Sequence, residues 1–156
     1  MEIEIASIEE KRLAAVRACG LSGNEPIHSF DRIVRLAQAT ANVPIALVSI
    51  VDEDKIWIKA SIGFGVDSLP SKGAFCRVGV ETSEILWIED TLTCPEFSKH
   101  EFVVGEPFVR FYAGAPILLP SGDAVGVLAI VDQKPRPYCA DLAQQLQDLA
   151  ALASDQ

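Results

Sequence analysis

Basic residues are scarce in this chain of 156 residues: 13 Lys and Arg stand against 22 Asp and Glu, a formal charge of −9. A nucleic-acid backbone or an anionic membrane needs clustered cations, and a sequence pI near 4.6 points away from both partners. Long hydrophobic runs are missing too. The longest, 43–51 and 124–131, fall far short of the roughly 18–20 residues of a membrane span. The chain starts Met-Glu-Ile-Glu-Ile, acidic where an export signal is basic, so a cytoplasmic location is expected. Metal ligands are sparse. Cys19, Cys76, Cys94 and Cys139 form no Cys-x-x-Cys, and only His28 and His100 add imidazoles. No metal is expected, and the thiols read as reduced. Gly63, Gly65 and Gly73 do not have dinucleotide-loop spacing, and Gly-Lys-Ser/Thr is absent, so phosphate-loop chemistry has no support. Asp52, Glu53 and Asp54 are consecutive carboxylates whose side chains splay apart, which suits a turn better than a cation cage.

What is present is apolar and ordered. Hydrophobic residues make up 49% and mean hydropathy is +0.26, so one domain with a sizeable core is expected. Ser7-Ile8-Glu9-Glu10 has the form of a capping box opening a first helix, with Gly20 as its stop. A second helix starts near Ser29 and carries Phe30, Ile33, Val34, Ala37 and Ala41 on one stripe. After Pro44 the period changes. Residues 45–51 read as a strand buried on both faces, 52–54 as a turn, and 55–62 as an alternating partner strand. Residues 63–73 read as a loop, 75–81 as a short helix and 85–88 as a brief strand. The stretch 90–105 reads as irregular, with one helical turn near Glu96. Two more strands, 111–119 and 124–131, flank the turn Pro120-Ser121-Gly122-Asp123. A final helix carries Leu142, Leu146, Leu149 and Ala153. Hairpins without helical crossovers make this an α+β antiparallel sheet flanked by helices.

Taken in order, several stretches resemble the GAF domain. They are Phe30-Asp31-Arg32 through Leu36-Ala37, then Val43-Pro44-Ile45 through Asp52-Glu53-Asp54 with Trp57, and Phe75-Cys76. Further along come Ile88-Glu89-Asp90, Arg110-Phe111-Tyr112-Ala113-Gly114-Ala115-Pro116, and Gly126 through Asp132 with Pro135-Arg136. The likeness covers about residues 8–153 and is closest to the subgroup found in bacterial sensor histidine kinases and cyclic-di-nucleotide signalling proteins. It implies a PAS-related, six-stranded antiparallel sheet between helical layers, with a small-molecule pocket on one face. It also implies a non-catalytic cytoplasmic sensory or dimerising module, acting on a linked or separate kinase or cyclase output domain. The sequence departs from many relatives in three places. Arg77-Val78 replaces Ala-His after Phe-Cys, Ala129 follows Leu128 where Cys is common, and Cys94-Pro95-Glu96-Phe97 stands where Asp-Pro-Arg-Phe is usual. The Cys-His pair that attaches a bilin is missing, so no cofactor is expected.

Candidate ligand-binding residues are Trp57, Phe75, Cys76, Phe97, Arg110 and Tyr112. Aromatic rings can wall a cavity for a flat ligand, and a tyrosine hydroxyl adds a polar handle. Arg110 can hold an anion in a two-pronged grip, or else tie down Asp90 or Glu106. Cys76 and Cys94 admit a thiol-dependent reductase of free methionine sulfoxide, but the cysteine spacing differs from such enzymes, and a buried structural thiol is the better reading of both. Leu13 and Val16, with Leu142, Leu146 and Leu149, are candidates for a homodimer interface between terminal helices. A ligand-free dimerisation scaffold is the alternative.

Overall fold

The computed structural model describes residues 2–18, 20, 28–65, 68–70, 75–82, 84–105 and 108–154. Helix α1 runs Glu2–Ala18 and α2 runs His28–Ala41; the hairpin β1 (Ile45–Val51) and β2 (Lys55–Ile62) follows, then β3 (Ser68–Pro70). Helix α3 (Phe75–Thr82), β4 (Leu86–Ile88), a 3-10 turn (Thr91–Thr93) and α4 (Glu101–Val104) lead to β5 (Phe111–Leu118), β6 (Ala124–Asp132) and α5 (Ala140–Ser154). The strands form one six-stranded sheet in the order β3-β2-β1-β6-β5-β4, antiparallel at every pairing. This is the α+β architecture expected from the hairpins, with the six strands that the resemblance implies.

Alternation along the central strands divides the core in two. Ala46, Val48 and Ile50 point to one face with Phe111, Ala113, Ala115, Leu128 and Ile130, and α2 and α5 cover them. Ile45, Leu47 and Val51 point to the other face with Tyr112, Val127, Ala129 and Val131, beneath α3, α4 and their loops. Both β1 and β6 are buried throughout, as strands covered on two sides must be. Arg136 closes the frame. It holds Asp132 and donates to the carbonyls of Ala41 and Asn42, pinning the end of α2 to the segment before α5.

The fold corrects three local readings. The helix expected to open at Ser7 starts at Glu2, so Ser7 lies inside α1 and Glu10 is not in its first turn. The neighbouring Glu9 carboxylate pairs with Arg12 and Arg77. The loop read over 63–73 contains β3, where Leu69 pairs with Ile56 and Pro70 with Lys55 at the sheet edge, a place where a sheet tolerates proline. The stretch 90–105 keeps the turn expected near Glu96, where the Ser98 amide donates to the Cys94 carbonyl at 2.9 Å, but it also contains an unexpected helix at 101–104, capped by the His100 ring, which accepts from the Phe102 amide at 3.0 Å.

Candidate functional site

A cavity of about 100 Å³ lies between the sheet and the α3/α4 layer. Its floor is aliphatic: Ile45 and Leu47 of β1, Ile58 of β2 and Val131 of β6. Phe75 and Cys76, which open α3, form one wall with Tyr112 of β5. Phe64, from the loop after β2, and Phe102, from α4, meet edge to face at 5.7 Å over the opposite side. Ring stacking holds α3 in place. Phe75 lies 4.3 Å from Phe97 and 4.8 Å from Tyr112, near parallel to both, with the His100 ring 4.8 Å away.

The buried polar groups here are neutral. Cys76 Sγ and Tyr112 Oη are 3.4 Å apart, and either can donate. Burial pushes the Cys76 thiol up, against hydrogen bonds to Ser49 and Tyr112 that pull it down. Burial also pushes the Tyr112 phenol well up, and the neighbouring thiol adds to the rise. A thiol kept protonated is a poor nucleophile; Cys76 is buried as expected, whereas Cys94, expected to be buried too, is only partly so.

Gly114, two residues beyond Tyr112 on the same face of β5, makes this arrangement possible. A Cβ at Gly114 would lie 2.6 Å from Tyr112 Oη and 2.8 Å from Val127 Cγ1. The missing side chain therefore lets the Tyr112 ring lie back along its own strand. Sequence reasoning passed over this residue, yet a glycine inside a strand pattern is a signal of close approach.

Three of the six expected binding residues, Phe75, Cys76 and Tyr112, line the cavity. Phe97 stands behind it, supporting Phe75. Trp57 and Arg110 are elsewhere. Trp57 packs against the α2/α5 core, on the opposite side of β2 from Ile58, because residues one apart on a strand point to opposite faces. Arg110 grips Asp90 through two hydrogen bonds of 3.1 Å; its hydrogen bonds hold the Asp90 carboxyl below the ordinary aspartate value. Missed by sequence reasoning were Phe64, Leu69 and Phe102, which reach the cavity from a loop, the three-residue β3 and the four-residue α4, all too short to show periodicity.

Of the residues expected at a dimer interface, Leu13, Val16 and Leu146 are buried within the chain. They already serve its own core and offer no surface to a second copy. Leu142 and Leu149 are only partly buried, and Leu152 is 51% exposed. Cys19 and Glu106 lie outside the described residues. Among the described residues no group of three or more His, Cys, Asp or Glu is placed to hold a metal, and no helix is long and apolar enough to cross a membrane.

The profile of the GAF domain matches residues 25–156. The chain belongs to the GAF domain family. The matched stretch starts after α1. The chain is 34% identical over 133 residues to a cyclic di-GMP phosphodiesterase of Pseudomonas aeruginosa; the alignment spans 85% of this chain and 23% of that protein's length. Its fold is similar to the GAF domain of a phosphoenolpyruvate-protein phosphotransferase from Coxiella burnetii, with TM-score 0.71, 16% identity and coverage of 98% and 92% of the two chains. It is similar as well to a type II free methionine-R-sulfoxide reductase from Thermoplasma acidophilum, with TM-score 0.69, 12% identity and coverage of 95% and 93%. At those identities the two structures speak for the fold alone.

Proposed function

We propose that this GAF domain is a non-catalytic sensory module of a bacterial cytoplasmic signalling protein, in which a small molecule in the α3/α4 cavity alters the packing of the terminal helices. One observation carries the reading: the residue after cavity-lining Cys76 is tied directly to α1. Arg77 binds Glu9 at 2.9 Å, and Glu9 in turn binds Arg12. The Arg12 guanidinium is buried and donates to the carbonyl of Val51 at 2.6 Å, at the end of β1. A ligand that displaces α3 therefore pulls on α1 through one shared carboxylate. It shifts the equilibrium only by its differential affinity for the two arrangements.

The similarity to a phosphodiesterase acting on cyclic di-GMP supports an output domain of cyclic-di-nucleotide signalling, with kinase and cyclase outputs as the other candidates. No cofactor is part of this reading. The reductase alternative is weakened by the raised Cys76 thiol. A homodimer remains part of the proposal, with the pairing surface moved to the outer edge of α5, where Leu142, Leu149 and Leu152 keep exposed area. A monomeric mass by light scattering at high micromolar concentration would sink that part.

Hydrogen exchange tests the sensory reading. A ligand at 100 times its Kd stabilises the fold by about 2.7 kcal/mol, and its binding should slow exchange of α1 amides in the wild type. In Arg77→Ala the ligand should still bind while the α1 response disappears. If a broad panel of cyclic nucleotides and metabolites shifts no melting temperature, the ligand-free scaffold is the better description.

A further inference from the structure

The cavity restricts what it can admit by size, charge and polarity. About 100 Å³ is smaller than the roughly 150 Å³ apolar cavity that accepts benzene. Space for one ring therefore needs only a small retreat of the Phe64–Phe102 contact. Both rings sit on loop or short-helix segments rather than in the sheet. A nucleotide would need the whole α3/α4 layer lifted.

Charge narrows the choice further. Neither lysine nor arginine is among the described residues lining the cavity. The nearest cation along α3, Arg77, is turned to Glu9 and Glu81, and Arg110 is turned to Asp90. Glu101 stands at the lining and is exposed. Among the described lining residues a buried carboxylate or phosphate would lose its hydration and meet no lysine or arginine, a heavy cost. A cation would face only the neutral thiol and phenol at depth.

Polarity supplies the last criterion. The cavity walls are aromatic and aliphatic apart from Cys76, Tyr112, His100 and Glu101. The Cys76–Tyr112 pair is the deep polar feature, and each member can donate or accept. We propose that the cavity is a site for a neutral aromatic molecule of one ring, carrying one hydroxyl or N–H group directed at the Cys76–Tyr112 pair. This rests on the ligand-sensing reading above and names the ligand class for that same cavity.

Four probes decide it at pH 7: p-cresol, toluene, benzoate and cyclic GMP, each followed by thermal shift and by methyl NMR of Ile45, Leu47, Ile58 and Val131. The expected result is a shift with p-cresol, a smaller one with toluene, none with the other two, and methyl perturbations confined to these floor residues. Tyr112→Phe should weaken p-cresol about tenfold, the loss of one hydrogen bond, while leaving toluene unchanged. Should benzoate or cyclic GMP bind in the cavity and p-cresol not, the ligand class is wrong and the sensory reading stands. Perturbation of methyls outside the cavity only would also overturn the class. If none of the four binds, and neither does methionine sulfoxide nor any member of the metabolite panel, both inferences fall.

Discussion

The two faces of the sheet are built from the same strands yet packed differently. On the α2/α5 side, two helices of 14 and 15 residues lie over a surface rich in alanine: Ala46, Ala60, Ala113 and Ala115 on the strands, Ala37, Ala143 and Ala150 on the helices. Small side chains let helix and strand approach closely at the centre; the space on this side is an open groove of about 500 Å³ at the margin between α5 and the end of β5, lined by Pro116, Leu118, Gln147 and Ala151. On the α3/α4 side the cover is one helix of eight residues, one of four, and loops. Phe75, Phe97 and Tyr112 stand between that cover and the strands. Rings stacked on each other prop the layer away from the aliphatic floor, and space is left beside them. A short, loop-borne cover also has fewer contacts to break when it moves, which is why the proposed ligand site is put on this side.

If that contrast is right, equal truncations on the two faces should not cost the same. Leu146→Ala, at a fully packed position on α5, should lose about 2–5 kcal/mol in a denaturant titration, the range for a buried leucine. Leu47→Ala, beside existing space, should fall at or below the low end of that range, because fewer packed atoms lose a neighbour. Equal losses would break the comparison. Next in size is Gly114→Ala, which forces a methyl against Tyr112 Oη and Val127. About 1–3 kcal/mol of overpacking is expected, together with displacement of the Tyr112 ring, read from its ring-current effect on Val131 methyls. A neutral result there would mean that the ring is not confined.

The smallest effect concerns the carboxylate joining the α3 layer to α1. Burial works to raise the Glu9 carboxyl, but the Arg12 hydrogen bonds and the charges of Arg12 and Arg77 outweigh it and hold it below the ordinary glutamate value. A depressed carboxyl stabilises the fold above its unfolded value and loses that contribution as pH falls through the folded one. Melting temperature should therefore drop in that acidic window in the wild type, with a flatter slope in Glu9→Gln. Parallel slopes would remove Glu9 as the link.

Much of the frame was legible along the chain, and the reasons are local. The β1–β2 hairpin was readable because Pro44 and Asp52-Glu53-Asp54 bracket a β-branched run. The Pro120–Asp123 turn was readable because Gly122 takes φ of 89°, a conformation glycine reaches without strain. The candidate site was legible only where it sits on regular elements: Phe75 and Cys76 open a recognisable helix, and Tyr112 lies on a recognisable strand. Phe64, Leu69 and Phe102 come from stretches whose direction is set by what they pack against. Trp57 has the right composition for a pocket, yet it faces the other core.

Four cysteines without motif spacing, an excess of acid over base, and the order of helices and hairpins follow from the sequence alone. They determine an antiparallel α+β domain, since composition and periodicity are properties of neighbours in the chain. The partners of its charges were decided only in three dimensions. Arg110 faces Asp90 rather than the cavity, and Arg77 and Arg12 share Glu9 across two helices. A long side chain goes to whichever opposite charge the fold brings within reach, and residues 9 and 77 become neighbours only when α1 and α3 pack together.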